Sequence, residues 1–555
     1  MRTIAALFCV GFLACSSSSS NGSSSPANDG GVGGGADASN ADGGACSTPP
    51  ATDPLASQRH ACAFKAGDSA ATTLGFSDAD RAKIPIKHVV VMMKENRSFD
   101  HMLGGLKKLQ PDADVADARF TNKDKSGASV APYHLPTTCV GNDPDHQWAA
   151  MHAQVNGGKM DGFVTSAAQS TGGDGHFVMG YYDERDLPFY HFLASTFAIS
   201  DRHFASVRSG TFPNRDYMLL GTSDNVASTQ FAIWPDPKQP SIFDLLDAAH
   251  VTWGVYGDDH QLEETLNIPS KNFETTRPWS PVSKLIEAFA NDTVPNVVFV
   301  DGTENDQDEH PTADVQVGEA WTKKIYDAAV ASKAWSSTVL FLTYDEAGGF
   351  ADHVPPREDA CLARPEDGKF HELGVRVPFI AISPWARRHH VSHAEQDHTS
   401  ITRFIEAVFG LPALTARDAN ADGLLGLFDF SCAPQPVPTA PAAVTKGCGG
   451  GAFITLPKTS FASGEAITVT FGGGPGNAKD WIAVYPRTDT PHSGSTLWAY
   501  CATNNHTATT QAVTMGTVTL DASSANNTTS WPLAAGTSWT AYYLVNDGYT
   551  SIASV

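Results

Sequence analysis

The chain has 555 residues, of which 37 are Lys or Arg and 60 are Asp or Glu, for a formal net charge of −23 with histidine neutral. That balance argues against nucleic acid as a partner, because binding a phosphate backbone needs a basic face. Hydrophobic residues at 41% and aromatics at 10% are enough for a large core, so a disordered chain is excluded, and the length suggests two or three domains.

Residues 1–14 (MRTIAALFCVGFLA) carry one early Arg and a short apolar stretch ending in a small residue. This predicts a signal peptide, too short for an ordinary membrane span. Cys15 follows, and then a tract of Ser, Gly, Ala, Asp and Asn to about residue 50, a flexible tether that cannot bury a core. Phe12-Leu13-Ala14-Cys15 resembles a bacterial lipoprotein processing site, which implies an exported protein held to the membrane through an acylated Cys15. The alternative is ordinary cleavage and release. No later run reaches the ~18 apolar residues of a membrane span. Nine cysteines less Cys9 and Cys15 leave seven: Cys46, Cys62, Cys139, Cys361, Cys432, Cys448 and Cys501. An odd number leaves at least one thiol free or paired elsewhere. Cys448 and Cys501, the two in the last segment, are candidates to staple it.

From about residue 84, apolar strand candidates at 86–93, 296–300, 337–343 and 377–383 alternate with helix candidates at 241–250, 318–333 and 399–409. This pattern predicts an α/β domain over 84–432, with a largely parallel sheet covered on both faces. Residues 433–446 are Pro- and Ala-rich and read as an extended linker. The segment 447–555, with alternating stretches at 465–471, 481–485 and 538–544, reads as an all-β sandwich. It holds Trp481, Trp498, Trp531 and Trp539, which are expected chiefly in its core.

Polar chemistry in such α/β sheets collects beyond the carboxyl ends of the strands. Two strands run directly into acidic clusters there, Glu95-Asn96 and Asp345-Glu346. Adjacent carboxylates repel and are best tolerated beside a cation, so the two clusters together point to a hard-metal site. Ser209-Gly210-Thr211-Phe212-Pro213-Asn214-Arg215 reads as a glycine-led loop with a hydroxyl that metal coordination could activate. On spacing alone, an ordinary threonine in a Pro-containing turn remains the simpler reading.

The segment 86–104 (IKHVVVMMKENRSFDHMLG), with SGTFPNR at 209–215, DEHP at 308–311 and TYDEAGGFADHV at 343–354, closely resembles the bacterial phospholipase C and acid phosphatase family of phosphoesterases over residues 84–432. The resemblance implies an alkaline-phosphatase-like α/β/α fold. It also implies Glu95, Asn96, Asp345 and Glu346 as metal ligands, joined by Thr211, the nucleophile. His310, His353 and His146 are the histidines expected to stabilise the phosphoryl oxygens or protonate the leaving oxygen. His398 reads as structural. The expected cofactor is a divalent metal ion, calcium, magnesium, manganese or zinc, with oxygen ligands favouring the first three.

The expected substrate is a phospholipid, cleaved in phospholipase C fashion through a phosphothreonine. A broad acid phosphatase acting on small phosphate esters is the alternative, and a surface protein binding through its β domain is a third reading from another class. Two motifs are set aside. Asp418-Ala-Asn420-Ala-Asp422-Gly423 with Asp429 lacks the terminal Glu of a calcium loop, and Gly472-Gly-Gly-Pro-Gly476 lacks the Gly-Lys-Ser/Thr of a phosphate loop.

Overall fold

The computed structural model describes residues 53–229, 240–258, 280–444 and 453–555, apart from 459, 475, 512, 514, 528 and 529. The predicted signal peptide, Cys15, the tether and the last two residues of the linker lie outside the described residues.

Seven strands form the central sheet: β1 (His88–Lys94), β2 (Ala198–Ser200), β3 (Trp253–Tyr256), β4 (Val297–Val300), β5 (Thr338–Tyr344), β6 (Phe379–Ile382) and β7 (His390–Ser392). Their order is β7-β2-β6-β5-β1-β4-β3. β1 lies parallel to β5, with Lys94 opposite Tyr344, and parallel to β4, with Val91 opposite Phe299. Only β6 runs against its neighbours. Among the described residues no helix separates β5 from β6. An antiparallel return does not need the long crossover that a parallel strand requires. The largely parallel sheet expected from the sequence is therefore present, with one reversed strand. β2, β3 and β7, at three or four residues each, are too short to show a period in the sequence.

Alternation of side chains along the strands places helices on both faces. On β5, Phe341 packs edge-on against Phe404 of the helix His398–Phe409. Tyr344, of opposite parity, reaches Glu309, which also receives Tyr190 from the helix Pro188–Thr196. On β1, Lys94 points to Gly318 of the helix Val315–Ala331, and the next residue, Glu95, turns to the other face to meet Arg215. The segment read as a loop at Thr211 is instead the start of a helix, Thr211–Leu220, every residue of which is buried. Gly210 and Pro213 mimic a turn in the sequence, but a proline in the first helical turn sacrifices no intrahelical hydrogen bond.

The C-terminal part consists of two antiparallel sheets, Phe453–Thr455, Ile467–Gly472 and Gly516–Leu520 in one, and Leu497–Tyr500, Trp481–Pro486, Trp539–Leu544 and Ser551–Ser554 in the other. Val469, Phe471, Val518, Ile482, Val484 and Tyr543 form the core between them, as expected for a sandwich. Trp481 instead packs with Tyr485 and Tyr500 in a separate cluster flanked by Trp498. Cys501 is buried and free, so it does not staple this domain to Cys448, which lies outside the described residues. Cys62 and Cys361 are joined in a disulfide, and Cys139 and Cys432 are also disulfide-bonded. The calcium-loop look-alike is structural. Asp418 accepts the backbone N–H groups of Leu414 and Thr415 at 2.7 Å each, and Asp429 accepts that of Ser431 at 3.1 Å.

Candidate active site

The site forms where β1 and β5 end side by side. Asn96 takes a left-handed conformation at φ 61°, which Asn tolerates better than most residues, and its backbone N–H donates to Asp345 Oδ1 at 2.9 Å. This latch brings the two acidic clusters together. The chain then passes so close to Asn96 that a Cβ on Gly348 would lie 2.2 Å from the Asn96 carbonyl oxygen, and Gly348 itself has φ +61°. Only glycine satisfies both conditions.

Thr211 enters from the helix that packs on this face, and its Oγ1 donates to Glu95 Oε2 at 3.0 Å. One turn later on the same helix face, Arg215 donates to Glu95 Oε1 from Nε at 3.1 Å and from Nη2 at 2.5 Å. Its Nη1 donates to Asp301 Oδ2 at 2.6 Å. The buried guanidinium therefore fixes one carboxylate oxygen of Glu95 and leaves the other facing Thr211.

The Asn96 amide sits between carboxylates and imidazoles. One of its terminal atoms lies 2.8 Å from Glu95 Oε2 and 2.9 Å from Glu346 Oε1, the other 3.0 Å from His310 Nε2 and 3.2 Å from His146 Nε2. With nitrogen toward the acids, the amide bridges them. With oxygen toward them, Glu95, Asn96 and Glu346 present three converging oxygens, the donor set of a hard cation. In His146, Nδ1 donates to the Pro144 carbonyl at 2.8 Å, and in His310 to the Pro311 carbonyl at 2.6 Å. A carbonyl can only accept, so both rings carry hydrogen on Nδ1 and turn Nε2 toward Asn96.

Electrostatics supports a cation here. Burial pushes Glu95 up to about 7, with the charge of Asp345 adding to the effect and Arg215 opposing it. Burial also raises Asp345 and, reinforced by the Asp345 charge, lifts Glu346 well above the ordinary carboxylate range. Asp345 Oδ2 is buried with no hydrogen-bond partner among the described residues. Three crowded carboxylates and one orphaned oxygen fit a divalent ion bound by Glu95, Asn96, Asp345 and Glu346.

The structure thus brings together Glu95, Asn96, Thr211, Asp345, Glu346, His146 and His310. It does not bring His353 to them. His353 Nδ1 lies 2.6 Å from Asp100 Oδ2 and Nε2 lies 3.0 Å from Asp114 Oδ1. Both ring nitrogens are committed to carboxylates, in a cluster that Arg376 completes through Asp100 and Asp352, so the expectation that His353 reaches the phosphoryl group is corrected. His398, expected to be structural, lies directly behind the site. Its Nε2 donates to the Asp345 carbonyl at 2.6 Å, and burial lowers it to about 4, so it is a neutral donor at ordinary pH. Arg215 closes the segment 209–215, but its guanidinium is given no role from the sequence. Its spacing of four from Thr211 carries the information once the segment is read as helix.

Residues 86–412, more than half of the chain, match the phosphoesterase family. The non-specific phospholipase C1 of Arabidopsis thaliana is 33% identical over 397 residues, covering 63% of this chain and 72% of that protein. Phospholipase C A of Mycobacterium tuberculosis (strain ATCC 25618 / H37Rv) is 32% identical over 416 residues, covering 63% and 78%. A solved structure of an alkaline phosphatase superfamily protein from Vibrio parahaemolyticus aligns at 11% identity with a TM-score of 0.33, over 72% of this chain and 76% of that one. The chain belongs to the phosphoesterase family and is a hydrolase of phosphoric ester bonds.

Proposed function

We propose that the protein cleaves phospholipid phosphodiesters in phospholipase C fashion, with Thr211 as nucleophile. The observation that carries this reading is the Thr211 hydroxyl donating to Glu95 at 3.0 Å inside the acidic cluster, a nucleophile paired with an oxygen that can take its proton. The names of the related phospholipases C support the substrate class.

Glu95, Asn96, Asp345 and Glu346, with Thr211, would hold a divalent cation, which would supply Lewis-acid polarisation of the phosphate and favour the deprotonated hydroxyl. Oxygen donors favour calcium, magnesium or manganese over zinc. Thr211 Oγ attacks phosphorus and passes its proton to Glu95, while the P–O bond to the diacylglycerol breaks. His310, turned from the Asn96 amide to the substrate and protonated at Nε2, gives that leaving oxygen a proton, a role worth on the order of 10²–10⁴ in rate. His146, as an imidazolium carrying hydrogen on Nε2 as well as on Nδ1, donates to an equatorial oxygen. Water then attacks the phosphothreonine, losing a proton to the now neutral His310, and Thr211 recovers its own from Glu95 as the headgroup phosphate leaves.

The exported, membrane-anchored location belongs to the same reading. It rests on the leader at 1–14 and on Cys15, and it would hold the enzyme beside its lipid. Purified protein should hydrolyse a choline phosphodiester faster than a simple phosphomonoester, and chelator should stop both. Preference for the monoester would instead assign a broad acid phosphatase. Full activity with every metal removed would refute the cation.

A further inference from the structure

On the face of the sheet away from Thr211 lies a second buried polar cluster, built around Glu309. Glu309 is fully buried and has φ +73°, a conformation that a residue with a side chain keeps only when its surroundings impose it. Its carboxylate Oε1 receives the Lys94 ammonium at 2.9 Å and the Tyr190 hydroxyl, and Oε2 receives the Tyr344 hydroxyl at 2.5 Å. Its carbonyl oxygen accepts Arg97 Nε at 3.0 Å and Nη2 at 2.8 Å. The helix behind it approaches so closely that a Cβ on Gly318 would lie 2.2 Å from Glu309 Cγ.

Three of these four donors to Glu309, all but Tyr190, have a common feature. Lys94 is adjacent in sequence to Glu95, Arg97 to Asn96, and Tyr344 to Asp345. Three of the residues that shape the acidic cluster therefore have a neighbour gripping Glu309 from behind. One residue beyond Glu309 is His310, whose Nε2 lies 3.0 Å from the Asn96 amide, and one before it is Asp308, whose carbonyl accepts the Glu95 N–H at 2.9 Å.

We propose that Glu309 is a positioning residue that references His310 to the ends of β1 and β5, so that Nε2 meets the leaving oxygen while the cluster holds the phosphate. The inference rests on the proton-donating role given to His310 under the proposed function. Glu309 itself touches no substrate. Its effect passes through the backbone it shares with His310, held at the carbonyl by Arg97 and at the carboxylate by Lys94 and the two tyrosines.

Glu309→Gln strands the Lys94 charge in the interior and risks misfolding, so the decisive variants are Tyr344→Phe and Tyr190→Phe, which each remove one hydroxyl and keep the ion pair. Each should lower kcat on an alkyl phosphodiester by roughly tenfold, within the range of a misplaced general acid, while KM and metal content stay near wild type. The loss should shrink on a p-nitrophenyl ester, whose leaving group needs no proton. In a His310→Gln background Tyr344→Phe should cost nothing further, because the group it positions is gone.

Equal losses on both esters, or a loss that repeats in full in the His310→Gln background, would overturn the role of Glu309 while leaving His310 as the acid. A His310→Gln enzyme with unchanged kcat on the alkyl ester would overturn the role of His310, and the positioning role with it.

Discussion

Thr211 and Glu95 lie 116 positions apart in sequence, yet the hydroxyl of one donates to the carboxylate of the other at 3.0 Å. The other oxygen of that carboxylate is held by Arg215, from the same helix as Thr211. A single helix thus delivers the proposed nucleophile and also orients its proton acceptor, so the pair does not depend on a mobile loop for its alignment.

Removing the Thr211 hydroxyl tests the covalent route. Thr211→Ala should lower kcat by about a thousandfold or more with circular dichroism unchanged, and Thr211→Ser should keep substantial activity. Acid quench during turnover should leave phosphate on the peptide containing Thr211. Near wild-type kcat in Thr211→Ala would exclude the residue as nucleophile.

The acidic cluster predicts opposite effects with and without metal. Glu95→Gln or Asp345→Asn should abolish turnover and lower bound metal, measured by elemental analysis. In chelator, Asp345→Asn should raise Tm relative to wild type, because one of several crowded buried charges is gone. Full metal content and activity in either variant would remove that residue from the ligand set.

His353 predicts a pH dependence of stability, not of catalysis. Burial alone would lower its pKa, but the hydrogen bond and charge of Asp100 outweigh burial and raise it from 6.5 to about 9, with Asp352 adding to the rise and Arg376 opposing it. The protonated form is favoured in the folded state, so its stabilisation is complete below about pH 6.5 and is lost as pH rises through about 9. Thermal denaturation across that window should show Tm falling in wild type and a smaller fall in His353→Gln, whose kcat should stay near wild type. A large loss of kcat with Tm and its pH slope unchanged would return His353 to the reaction.

Membrane anchoring is tested at Cys15. Cys15→Ser should shift the protein from the membrane fraction to the soluble fraction, because several acyl chains on a processed cysteine hold a protein firmly and a bare chain does not. A mature N-terminus beyond residue 16 would also discard the anchor.

The sequence already showed the ends of β1 and β5, because an apolar run that stops at a polar acidic pair, Glu95-Asn96 in one and Asp345-Glu346 in the other, has few other readings. The α/β alternation and the C-terminal sandwich were legible for the same reason of period. Thr211 was recognisable as a residue but not as part of a helix, since Gly210 and Pro213 are also turn residues and the polar residues of this buried helix, Asn214, Arg215 and Asp216, are consecutive and trace no solvent-facing stripe. The position of His353, seven residues after Glu346, gave no information on where its ring points. Asp100 and Asp114 decide that, and both are more than two hundred positions away in sequence. The grip on Glu309 was hidden likewise, since Lys94, Arg97, Tyr190 and Tyr344 converge only through tertiary packing.

Lys94 and Glu95 are consecutive, yet one points to each face of the sheet. Side chains in a strand change face at every step, so a slip of β1 by one residue relative to β5 would exchange them. The ammonium would then occupy the cation's ground and the carboxylate would be sealed beside Glu309, like charge against like on both faces. A chain paired out of step would carry that repulsion on both faces at once, so the alternation of Lys94 and Glu95 at the end of β1 penalises the shifted register by charge as well as by packing.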